Sequence, residues 1–203
     1  MKYLIFGLGN IGEKYQDTRH NIGFSVLNAM AHDAKAEFSI DRHAAVASMK
    51  HKGRVLKLIK PTTLMNLSGK AVTYWMIKEK VHPDNILVIV DDIALPLGEL
   101  RMRKKGGDGG HNGLADINQR LGMSKYPRLR FGIGDTFVRG YQSGFVLGEW
   151  TKEEVDIISP KIDRAIEMIK GFVTIGIELT MTKFHKDEKP SKTKEPKQED
   201  DEV

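Results

Sequence analysis

Residues 85–90, NILVIV, constrain the fold more than any other stretch. They are an almost unbroken β-branched run with no polar alternation, stopped by Asp91 and Asp92. A strand of that kind must be covered on both faces, which places it centrally in a largely parallel sheet with helices above and below. A second short apolar run, KYLIF at 2–6, enters the turn Gly7-Leu8-Gly9-Asn10-Ile11-Gly12 and reads as another buried strand. Ile22, Val26, Leu27 and Met30 recur at helical spacing over 21–34, and 68–80 and 114–121 are also helix-compatible. Residues 44–50 and 54–60 flank His51-Lys52-Gly53 as a hairpin that Pro61 ends; 99–103 and 128–133 supply two more strands. Thr151-Lys152-Glu153-Glu154 opens a helix with a capping box, and 161–183 supplies a longer one. Strands separated by helices predict a single α/β domain over 1–185, with a mostly parallel mixed twisted sheet flanked by helices.

Composition agrees and removes several function classes. The chain has 203 residues, 40% of them apolar and 29% charged, so it can bury a real core. It contains no cysteine, which excludes a disulfide scaffold, a thiolate metal site and a cysteine nucleophile. No apolar run approaches the ~20 residues that cross a bilayer, and the first apolar run soon meets glycines, so the expectation is a soluble, cytoplasmic protein without membrane contact. Of 32 basic and 27 acidic residues, the tail 186–203 takes five and seven, leaving a globule of net charge +7 before a tail of −2. That tail has two prolines and one apolar side chain, too few to repay the entropy of ordering, and is expected to be disordered. A basic globule points towards a polyanionic partner.

Four segments carry polar residues where chemistry is expected. Gly7-Leu8-Gly9-Asn10-Ile11-Gly12 fits a G-x-G-x-x-G pattern, which can cradle a pyrophosphate, but residues 13–19 lack the apolar face of the helix that should follow. A tight turn needing positive φ is the commoner reason for such glycines. Asp17-Thr18-Arg19-His20-Asn21 precedes a helix that Asn21 is placed to cap, and His20 becomes a general base only if a carboxylate fixes its tautomer. Asp91 and Asp92 lie at the carboxyl end of the central strand, where α/β sheets bind ligands; cation ligand, histidine partner and turn cap compete, with capping the commonest role. The loop 105–113, glycine-rich and flanked by Arg101, Arg103, Lys104 and Lys105, with Lys125, Arg128 and Arg130 later, is a potential anion site at a helix N-terminus; charge runs are usually solvated faces, but beside such a loop phosphate contact is the better reading. No G-x-S-x-G elbow, H-E-x-x-H or Walker A motif is present, which leaves a water-activating histidine as the simplest engine for an enzyme.

GLGNIGEKYQDTRHNIG (7–23), PTTLMNLSGKAV (61–72), ILVIVDDIALPLG (86–98), GGDGGHNGL (106–114), RLRFGIG (128–134) and GFVLGEW (144–150) together closely resemble the bacterial-type peptidyl-tRNA hydrolase family, in family order across nearly all of 1–184. The resemblance implies a monomeric, cofactor-free and metal-free esterase with no obligate protein partner. It would cut the ester between a peptide's C-terminal carbonyl and the 3′ ribose of tRNA, recycling peptidyl-tRNA dropped from ribosomes. It also implies roles. His20 would be the general base and Asp91 its orienting partner, while Asn10 would test for a blocked amino group. Asn66 and Asn112 would grip the peptidyl backbone and the tRNA end, with Tyr15 and Leu64 lining that site and Arg101, Arg103 and Arg130 holding phosphates. Ile11, Leu64, Ala94 and Lys105 stand where many relatives have proline, an aromatic, an acid and glycine. A catalytically inactive RNA-binding relative and a nucleotide-dependent oxidoreductase using GLGNIG are the two alternatives.

Overall fold

The computed structural model describes residues 1–138 and 140–186. The tail expected over 186–203 lies outside the described residues except Lys186, which ends the last helix. Seven strands form one sheet: β1 (Lys2–Gly7), β2 (Ser39–Asp41), β3 (Ala44–His51), β4 (Arg54–Pro61), β5 (Ile86–Asp92), β6 (Leu100–Arg103) and β7 (Arg128–Gly132), in the spatial order β2-β3-β4-β1-β5-β7-β6. The four central strands are mutually parallel. The flanks are antiparallel, so the sheet is parallel in its middle rather than throughout.

Alternation along the central strands shows why they are apolar throughout. Leu4 and Phe6 of β1, with Ile86, Val88 and Val90 of β5, face one core, built with α2 (Ser68–Glu79) and α3 (Asn112–Leu121). Tyr3 and Ile5, with Leu87 and Ile89, face the other, built with α1 (Ile22–Asp33), α5 (Lys152–Ile175) and α6 (Ile177–Lys186). After β1 the chain turns through α1 towards β4; after β5 it turns the other way, towards β6 and β7. The carboxyl ends of β1 and β5 therefore flank a topological switch point, where a parallel sheet leaves a crevice.

Gly7 at the end of β1 and Gly23 in the first turn of α1 are there for room. A Cβ on Gly7 would lie 2.2 Å from the carbonyl oxygen of Gly23, and one on Gly23 would lie 2.5 Å from the Leu8 nitrogen. The first turn of α1 thus rests backbone-on-backbone against the end of β1. Of the three motif glycines only Gly12 has positive φ, at 110°. The α1 helix begins only at Ile22, well past Gly12, so the glycines do not open onto a helix N-terminus as the dinucleotide reading of GLGNIG requires.

One boundary differs from expectation. The α5 helix runs unbroken through Pro160, which sacrifices one i→i−4 hydrogen bond, and stops at Gly176 with φ 83°. Buried Ile158, Ala165, Ile166, Ile169, Phe172 and Val173 form a continuous apolar row across the proline, and packing outweighs the lost bond. The capping box at Thr151 and Glu154 is present as predicted. The short β2 and a five-residue helix, α4 (Gln142–Val146), have no periodic signature and were not anticipated.

The α6 helix is fastened to the edge strand β6 by His185, whose Nε2 accepts the Met102 N–H at 3.1 Å. Burial first, then the positive charges of Arg103 and Arg101, holds this imidazole below the ordinary histidine range. The unfolded chain binds that proton more readily, so the bond's contribution is intact above the unfolded value, ~6.5, and is lost as pH falls from there towards the folded value. Protection of the α6 amides, corrected for the intrinsic pH dependence of exchange, is expected to weaken as pH falls below about 6.5, and His185→Gln to abolish that dependence. Corrected protection that does not change with pH would refute it.

Candidate active site

Three loops meet at the switch point. Asn10, just past β1, is held on both sides. Its N–H donates to Asn21 Oδ1 at 2.7 Å and its carbonyl accepts from Asn21 Nδ2 at 2.9 Å. Its own Oδ1 accepts the Met65 N–H at 2.9 Å, tying the β1 loop to the loop before α2 and leaving the amide's donor end as the half not committed to Met65. Asn21 therefore does not cap α1 with its side chain, as its position suggested; it clasps Asn10 instead.

His20 and Asp91, 71 positions apart, are in direct contact. The imidazole Nδ1 lies 2.8 Å from Asp91 Oδ1 and 2.9 Å from Oδ2. Asp91 is 4% exposed and His20 9%. Of the roles open to Asp91, histidine partner is the one adopted; capping falls to Asp92, whose Oδ1 accepts the Ala94 N–H at 2.9 Å while its Oδ2 pairs with Arg130. The two carboxylates go separate ways, as neighbouring strand residues must.

A second imidazole reaches the same carboxylate. His111 Nε2 lies 3.0 Å from Asp91 Oδ1, and the two rings are 5.0 Å apart between centroids. Burial alone would push the Asp91 carboxyl up, but His111 first, and then His20, holds it well below the ordinary carboxylate range. The tautomer of His111 follows from its other nitrogen. Nδ1 accepts the N–H groups of Gly113 and Leu114 at 3.1 and 3.3 Å as the N-cap of α3, so the proton sits on Nε2 and is donated to Asp91. His20, Asp91 and His111 have ligating atoms within 4.8 Å of one another, the spacing of a metal set. The donor chemistry does not fit one, because His111 has no lone pair left on Nε2 to give. The same bonds correct the anion-site expectation: the first free amides of α3 are taken by an imidazole.

A cavity of about 540 Å³ opens over this pair, lined by Asn10, His20, Leu64, Met65, Asn66, Asp91, His111 and Asn112 and walled on one side by Gln142, Ser143, Val146 and Leu147 around α4. Six of the ten expected site residues line it. Tyr15 does not: it sits in a 3₁₀ turn (Glu13–Tyr15) with the Lys14 ammonium 4.8 Å over its ring. Arg101, Arg103 and Arg130 do not line it either; they lie on the β6–β7 ribbon, where Arg101 faces Arg130 and Arg103 faces Arg128. Arg101 pairs with Glu99. Burial first, then the charges of Arg101 and Arg130, holds the Arg103 guanidinium below its ordinary range, the mark of crowded like charge. Arg128 differs: 1% exposed, it donates to the carbonyls of Gly107 and Ser124, both at 2.8 Å, and anchors the glycine loop from beneath instead of facing a phosphate. Sequence reasoning missed His111, although a histidine directly before Asn-Gly at a helix start was a usable signal. For α4 there was none.

A buried histidine–carboxylate pair at the switch point of a doubly covered sheet, with amide side chains around one cavity and no nucleophilic elbow, is an arrangement able to activate a water. The chain belongs to the peptidyl-tRNA hydrolase family: that family's sequence profile matches residues 4–194. It is 54% identical over 181 residues to a peptidyl-tRNA hydrolase of Cytophaga hutchinsonii, covering 89% of this chain and 96% of that protein. It is 52% identical over 186 residues to one of Phocaeicola vulgatus, covering 92% and 100%. The crystal structure of peptidyl-tRNA hydrolase from Acinetobacter baumannii superposes with a TM-score of 0.84 at 33% identity, covering 89% of this chain and 92% of that one.

Proposed function

We propose that this chain hydrolyses the ester between a peptide's C-terminal carbonyl and the 3′ ribose of tRNA, with His20 as general base. The observation that carries it is the His20–Asp91 contact: a carboxylate bound at Nδ1 leaves Nε2 as the acceptor on a ring that lines the cavity. A water hydrogen-bonded to Nε2 loses its proton to the ring as it attacks the ester carbonyl, and Asp91 stabilises the resulting imidazolium. The tetrahedral oxyanion needs donors, and amide side chains supply them without adding charge. The ring then returns the proton to the departing ribose oxygen. An ester is activated enough that a positioned base and neutral donors suffice, so no cofactor or metal is called for.

Asn10 is the residue for the blocked amino group, its free donor end facing an amide carbonyl that an aminoacyl ester lacks. Asn66 and Asn112 grip the peptide backbone and the tRNA end, with Leu64 beside them. The cavity is complete within one chain and lined by residues 10–147, which supports a monomer whose catalytic unit is 1–185. Peptidyl-tRNA is a cytoplasmic substrate, and the chain is proposed to act there.

Arg101, Arg103 and Arg130 are proposed to hold tRNA phosphates. The double substitution Arg101→Glu with Arg103→Glu is expected to raise KM for N-acetyl-aminoacyl-tRNA at least about tenfold, while hydrolysis of the minimal N-acetyl-aminoacyl ester of adenosine changes little. Steady-state release assays on both substrates test this. Equal loss on both would show that the pair shapes the cavity. Failure of the wild type to release the acyl group from tRNA would overturn the function itself and leave an inactive RNA-binding protein.

A further inference from the structure

Arg19 precedes the proposed base, is 8% exposed, and takes no part in lining the cavity. Its guanidinium points the other way. Nη2 and Nε fork onto Glu154 Oε2 and Oε1 at 2.6 and 3.3 Å, and Nη1 donates to the Phe145 carbonyl at 3.3 Å. The guanidinium carbon lies 4.5 Å from the centre of the Phe145 ring and 5.4 Å from that of Trp150. Its backbone N–H donates to the Gly148 carbonyl at 3.1 Å, beside a bridge pairing Thr18 with Glu149. Glu154 is itself fixed, because the same Oε2 accepts the Thr151 N–H in the capping box of α5.

These contacts converge on α4, the outer wall of the cavity. Phe145 and Gly148, which Arg19 grips, bracket Val146 and Leu147, which face the cavity. A five-residue helix with no buried residue cannot hold its own position by packing. We infer that Arg19 is a positioning residue that fixes the α4 wall against the His20 turn, so that the wall stands ready to receive the acyl part of the substrate. Charge-assisted fork bonds suit this role, since they set angle as well as distance. The inference rests on the cavity being the ester-binding site. It concerns a different step from proton transfer, because His20 keeps its bond to Asp91 whether or not the wall is held.

The test uses the full chain as wild type, Arg19→Met, Arg19→Lys and Glu154→Gln, each checked for folding by circular dichroism. Two quantities are read: steady-state hydrolysis of the N-acetyl-aminoacyl ester of adenosine, and exchange of the Leu147 and Gly148 amides, which are bonded to Ser143 and Phe145. Arg19→Met is expected to raise KM about tenfold while kcat falls less than about threefold, with faster exchange at both amides and unchanged exchange within α5. Arg19→Lys keeps the charge but not the fork, and Glu154→Gln keeps the Arg19 side chain but weakens it. Both are expected to give smaller KM increases in the same direction, and they carry the test if Arg19→Met does not fold. Unchanged KM with unchanged exchange in the folded variants, or a fall in kcat at constant KM, overturns the inference. Absence of wild-type turnover would instead count against the functional reading, and the exchange data would still decide whether Arg19 holds the wall.

Discussion

His20→Ala is expected to lower kcat by roughly 10²–10⁴-fold, the span of a lost general base, with little change in KM. The structure explains why the loss falls on the chemical step. The imidazole is the one cavity-lining base whose Nδ1 is saturated by an ionised carboxylate, so Nε2 is the only lone pair on that ring available to a water. The contacts proposed for substrate, Asn66, Asn112 and the ribbon arginines, are left in place by the substitution. Single-turnover release from N-acetyl-aminoacyl-tRNA by the folded variant is the measurement. Near-normal turnover would sink the mechanism.

Asp91→Asn is expected to cost almost as much, again roughly 10²–10⁴-fold in kcat, for two reasons that act together. The Nδ1 of His20 sits within 2.9 Å of both carboxylate oxygens. An amide placed there either turns its NH₂ towards His20, forcing the proton onto Nε2 and abolishing the base, or turns it towards His111, setting two donors against each other. The imidazolium formed during attack also loses its counter-charge. Because the two residues work as one unit, the double variant should be little slower than His20→Ala alone. Fully multiplicative losses would show that they act independently.

Much of the architecture is readable in the residues because the central strands are so one-sided chemically. NILVIV admits no exposed face, and the helices beside it carry 3.6-residue apolar rows. The residues that packing alone decides were harder to read. Pro160 reads as a break until the apolar row on both sides of it is seen to bury. Asn21 reads as a cap until Asn10 proves to be its partner 11 positions back. The arginines form one charge pattern in sequence and share one face of the ribbon, yet packing of the glycine loop covers Arg128 and leaves Arg101, Arg103 and Arg130 outside it. His111 belongs with His20 only because the sheet brings 20, 91 and 111 to one edge, a juxtaposition that no local signal encodes.

The double engagement of His111 ties the electrostatics of a whole helix to the proposed reaction centre. The positive end of α3 polarises the ring through Nδ1, and the ring passes that polarisation to Asp91 through Nε2–H. Asp91 is thereby held by two imidazoles of fixed position in place of water, whose molecules would have to turn each time a proton moved. The reorganisation that a solvent-exposed carboxylate undergoes in every catalytic cycle is completed here once, when α3 folds against the sheet.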